Sequence, residues 1–157
     1  MNYSVWSFLI DVHNGRLFPF ADREPLGLID LSKATQLKDM VFVSEKHPHW
    51  IVMALRTITP DHRQLQRVSI VVHNKLYRTS ASYTNPPHAM HIVGETSYRE
   101  WLELDRLLAQ LWESRSICLE ILLIPALSVD TNRVNSIVEG LLPDLMTRGL
   151  ARLAWRE

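Results

Sequence analysis

The stretch LKDMVF (37–42) returns 28 residues later as LQRVSI (65–70), with apolar residues at the first, fourth and sixth positions each time. The same apolar-x-x-apolar-x-apolar pattern is written by Val5, Phe8 and Ile10, by Leu119, Leu122 and Ile124, and by Leu150, Leu153 and Trp155. Successive starts lie 32, 28, 54 and 31 residues apart, and the gap of 54 is close to two shorter periods. Recurrence at this spacing is the signature of stacked strand–helix units. Each pattern opens a segment rich in β-branched and aromatic residues, so each reads as a strand.

Between the strands the periodicity changes. Residues 3–13 read as a strand closed by the turn pair Asn14-Gly15, 16–27 as loop and 28–36 as a short helix. The segment after His47-Pro48 suits a helix through Trp50, Met53, Leu55 and Ile58, stopped at Thr59-Pro60, although its β-branched content also fits a buried strand. Residues 67–73 form the clearest mid-chain strand. Residues 74–96 lack periodicity and read as a long loop or a degenerate repeat.

The strongest helix is expected over 98–115. Ser97 caps it, Glu100 reaches back, and Trp101, Leu104, Leu108, Leu111 and Trp112 form one apolar stripe. Residues 118–124 are nearly all apolar and short, which favours a buried strand. Asp130 or Thr131 opens a further helix, broken near Leu142 because Pro143 lacks an amide donor. Gly149 suits the left-handed residue after a helix end, and 150–156 read as a last strand.

Alternation of this kind implies parallel strands joined by right-handed crossovers. The inward set is expected to be Phe8, Ile10, Met40, Phe42, Val68, Ile70, Leu122, Ile124, Leu153 and Trp155. The alternate positions then place Leu9, Val41, Val43, Val71, Ile121 and Leu123 on the opposite face of the sheet. So many apolar side chains on an open face would make a partner-binding patch. The alternative is a three-layer doubly wound α/β sheet, covered on both faces.

The stretches ATQLKDMVF (34–42), ALRTITPDHRQLQRVSI (54–70), WLELDRLLAQLWESRSI (101–117) and GLLPDLMTRGL (140–150) resemble the C-terminal parts of uncharacterised fungal leucine-rich-repeat-like proteins, some described with an F-box-like module ahead of the repeats. The resemblance implies a short arc of parallel strands with helices on its convex face. It implies an interaction scaffold and carries over no catalytic residue. Where such repeats place Asn or Cys after the strand, this chain has His13, Glu45, His73 and Leu127. No F-box-like helical stretch precedes residue 5.

Composition bounds the rest. A chain of 157 residues is one domain by size, here read as 1–157, or as a piece of a longer solenoid. Lys plus Arg and Asp plus Glu number 17 each, so no net field favours nucleic acid or an anionic membrane. The single cysteine, Cys118, excludes an intrachain disulfide and reads as a small buried apolar residue. No signal-peptide pattern and no span of about 20 apolar residues is present, so a soluble, cytoplasmic protein is expected.

The residues that carry chemistry are sparse. His47 and His49, or His88 and His91, could each offer two imidazoles to a metal, but no spacing completes a site, and no metal or cofactor is expected. There is no Gly-x-Ser-x-Gly turn and no phosphate-cradling loop. His62-Arg63 and Arg67 read as polar loop.

The first expectation is therefore a non-catalytic protein-interaction scaffold, binding a protein partner through its sheet face or the 74–96 loop. Uncapped strand edges add the expectation of a homo-oligomer. The second is a small α/β enzyme or ligand-binding domain with Asp11, His13 and His73 at the carboxyl ends of the strands, where open parallel sheets bind ligands.

Overall fold

One face of each central strand packs into a single buried cluster, and the described helices lie against that face. The computed structural model describes residues 30–44, 47–72, 88–124 and 130–155. Leu9, Asp11, His13, His73, the strand over 3–13, the loop over 16–27 and the 74–87 part of the long loop lie outside the described residues. In chain order the elements are β1 (Asp39–Ser44), α1 (His49–Leu55), β2 (Arg67–Val72), α2 (Ala89–Val93), α3 (Glu95–Arg115), β3 (Cys118–Leu123), α4 (Thr131–Leu141), α5 (Pro143–Thr147) and β4 (Ala151–Trp155).

The four strands form one parallel sheet in the order β1-β2-β3-β4. The fold is α/β, as expected. Its register sets Phe42 beside Ile70, Ile70 beside Ile121 and Ile121 beside Leu153. Met40, Phe42, Val68, Ile70, Val72, Leu119, Ile121 and Leu123 share one buried cluster with side chains from every described helix. A doubly wound sheet reverses its strand order at a switch point. Among the described strands the order does not reverse, and the described helices build on one face.

The phase of β3 is the reverse of the sequence expectation. Leu119, Ile121 and Leu123 face the helices, with Ile121 and Leu123 fully buried, while Leu122 points to the other face and is half-buried. A strand apolar at nearly every position does not announce which face is which, and a one-residue slip inverts every side chain. Glu120 is the signal that was there to be read. It is the one charge within β3, and its face cannot be the core.

The helices begin and end for identifiable reasons. The segment after His47-Pro48 is helical, with Pro48 at the N-cap, but it stops at Leu55 rather than running to Thr59. Residues 30–36 make two successive turns, closed by Ala34 N–H to the Leu31 carbonyl and Leu37 N–H to the Ala34 carbonyl, in place of the expected helix. Gly94, at φ 86°, ends α2 and caps α3, so α3 starts three residues earlier than expected and Ser97 lies inside its first turn instead of capping it. Both α2 and the start of α3 fall in a stretch read as loop.

Asp130 caps α4 by accepting the Asn132 N–H at 3.0 Å. The expected break at Pro143 is present: Leu142 adopts φ −128°, ψ 57°, and α5 starts with Pro143 in its first turn. Gly149, at φ 63°, closes α5 in a Schellman arrangement, with Leu150 N–H on the Leu145 carbonyl and Gly149 N–H on the Met146 carbonyl.

Candidate functional site

Turning one face to the helices leaves a second face with a regular composition. Across the strand starts lie Asp39, Arg67 and Cys118, all exposed. The next row is Val41, Ser69, Glu120 and Arg152, and the third is Val43, Val71, Leu122 and Ala154. Ser69 Oγ donates to Glu120 Oε2 at 3.1 Å, so a polar pair sits between the charged row at the strand starts and the apolar third row. Arg67 and Asp39 approach at 4.0 Å at the exposed edge of that face.

Of the six apolar residues expected on this face, Val41, Val43 and Val71 lie on it. Ile121 and Leu123 do not; they sit under the helices, and Leu122 occupies the place assigned to them. Leu9 is outside the described residues. Val41, Val43, Leu122 and Ala154 keep partial exposure, whereas Val71 and Ser69 are buried. Cys118 is exposed at the start of β3, not buried as expected.

A second cluster gathers at the carboxyl end of β1. Ser97, buried in the first turn of α3, shares a hydrogen bond with Nδ1 of the exposed His47. His49 Nδ1 stands 3.7 Å from Glu100 Oε1, one turn further along α3. Ser44 Oγ and Glu100 Oε2 are both buried without a hydrogen-bond partner. The two imidazoles of His47-x-His49 thus turn to separate partners, and among the described residues no three His, Cys, Asp or Glu side chains converge on a metal position. Ser97 and the unpartnered Glu100 oxygen are both shielded from solvent, so of this cluster the imidazoles of His47 and His49 are the exposed groups.

The remaining polar groups hold the fold together. His62, read as surface loop, is fully buried. Its Nδ1 accepts the Thr59 N–H at 3.1 Å, which puts the ring proton on Nε2, facing the Leu31 carbonyl at 2.8 Å. Arg115 donates to the carbonyls of His62 and Thr59, tying the end of α3 to the same turn. His88 caps α2 by accepting the Met90 N–H and packs edge-on against Tyr98 at 5.5 Å, so the His88/His91 pair serves local packing.

From sequence alone Asp105 reads, with Glu100 and Glu103, as part of the solvated start of a helix; the structure overturns this. Asp105 projects from α3, buried, and its two oxygens accept the N–H groups of Asp144 at 2.8 Å and Leu145 at 3.0 Å. These are first-turn donors of α5, which need an outside acceptor. Burial pushes the Asp105 carboxyl above its ordinary value of 3.8, against the opposing pull of the two N–H bonds.

No described helix is long and apolar enough to cross a membrane. Comparison with protein-family models, with curated proteins and with solved structures finds no match in any of the three.

Proposed function

We propose that this chain is a non-catalytic protein-interaction module of leucine-rich-repeat-like build, which takes a protein partner on the sheet face turned away from its helices. The observation that carries the reading is the in-order parallel sheet with its described helices on one side. That leaves Val41, Val43, Leu122 and Ala154 partly exposed around the Ser69–Glu120 pair, flanked by Arg67 and Arg152. An apolar strip with a satisfied polar pair and a charged rim has the composition of an interface centre.

The test is a charge placed on the strip. Val43→Lys and Leu122→Lys should each abolish recovery of any partner that co-purifies with the unaltered chain, while the circular dichroism spectrum is unchanged. Recovery at the unaltered level by both variants would refute this face as the docking surface.

One observation favours a second reading, a small-ligand site at the carboxyl end of β1. The unpartnered Ser44 and Glu100 oxygens lie in the same part of the fold as the Ser97–His47 bond, at the end of a parallel sheet where ligands commonly bind. Titration of backbone amide shifts with small polar metabolites would locate such a ligand around Ser97 and His47. Shifts confined to other regions would dismiss it.

A further inference from the structure

The helix layer thins at β4. On β1, β2 and β3 the helix-side residues are at most 7 % exposed. On β4 the corresponding residues, Ala151, Leu153 and Trp155, are all only half-buried, although they pack against the same cluster. β4 is also an outermost strand among the described residues, so one side of its backbone has no strand partner there. An edge combining free backbone groups with an apolar stripe is a pairing template.

We infer that β4 pairs antiparallel with β4 of a second copy of this chain, about a twofold axis normal to the sheet at Leu153. The sequence of β4 fits this partner. Centring on Leu153 is the register that pairs all five residues of the strand. It sets Leu153 against its own copy and Trp155 against Ala151 of the second copy, so a large side chain meets a small one on the helix side. On the other side it sets Arg152 against Ala154 of the second copy. Shifting the axis to Arg152 would oppose two like charges directly, which is unfavourable.

A twofold axis normal to the sheet keeps the helix sides of both copies on one face. The two half-covered stripes then become one apolar strip across the joined sheets. The inference concerns the β4 edge, not the face proposed above for a protein partner, and either can fail without the other.

The experiment has two parts. Light scattering on the unaltered chain at tens of micromolar should give twice the chain mass. In a Cys118→Ser background, Leu153→Cys should form a disulfide-linked dimer under mild oxidation, because directly opposed Cβ atoms lie about 4.5–5.5 Å apart. Ala151→Cys should not, because two Ala151 residues would stand four positions apart along the strands, about 13 Å. A monomeric mass at that concentration, or equal cross-linking by both variants, overturns the inference. Should Leu153→Cys fail to fold by circular dichroism, the mass of the unaltered chain decides alone.

Discussion

Asp105 shows how much one buried side chain can organise. The helix break at Pro143 frees amide donors at the start of α5, and Asp105 reaches across from α3 to accept two of them. Asp105→Ala leaves the buried Leu145 donor and the partly buried Asp144 donor unmatched and should cost about 1–3 kcal/mol, read by urea denaturation. A loss within about 0.3 kcal/mol would mean that water takes over the role of the carboxylate. The carboxyl's raised position has a definite sign in pH. A group more easily protonated when folded contributes stability that is full below the unfolded value of 3.8 and is lost as pH rises through the higher folded value. The unaltered chain should therefore gain stability relative to Asp105→Asn as pH falls from 7 to 4. A relative loss over that window would contradict the assignment. Ser116 offers the opposite test. It closes α3 at φ 53°, a left-handed conformation that favours glycine. Ser116→Gly should raise stability by about 0.5–1 kcal/mol; thermal unfolding that shifts downward would contradict this.

The elements that sequence reading recovers are those with a local physical signal. Val68, Ser69 and Ile70 alternate as a strand must, Pro143 cannot sit inside an unbroken helix, and Gly149 meets the conformation after a helix end. What it misreads depends on distant partners. His62 looks like a polar turn residue until Leu31 and Arg115 are brought to it. Ser97 looks like a cap because the signal for Gly94 is weaker than a Ser-x-x-Glu box, yet His47 claims its hydroxyl. The phase of β3 was decided by Glu120 alone. Contact between α2 and α4 was equally invisible: a Cβ built on Gly140 would come 2.9 Å from Ala89 Cβ. Gly140→Ala should thus lose about 1 kcal/mol net, since steric overlap outweighs its gain in helix propensity. Adding Ala89→Gly should relieve the overlap, and a double-mutant cycle should give a non-zero coupling. Strict additivity would separate the two helices.

Across the molecule, a sheet that advances strand by strand in one direction separates covering from presenting. The described helices take one face, and on the other Val41, Val43, Leu122 and Ala154 keep partial exposure, while Ser69 and Val71 are buried. That reading of the interaction surface depends on the sheet order more than on any single side chain. The candidate ligand site expected from Asp11, His13 and His73 lies outside the described residues, so the carboxyl end is represented by Ser44, His47, Ser97 and Glu100. The most direct measurement is a set of cross-strand nuclear Overhauser contacts on isotope-labelled protein. Parallel, in-order strands require side-chain contacts linking Phe42 to Ile70, Ile70 to Ile121 and Ile121 to Leu153, with no close Hα–Hα pairs between neighbouring strands. Strong Hα–Hα contacts between β1 and β2 or between β2 and β3, or Leu122 in place of Ile121 beside Ile70, would contradict the sheet and the face it presents.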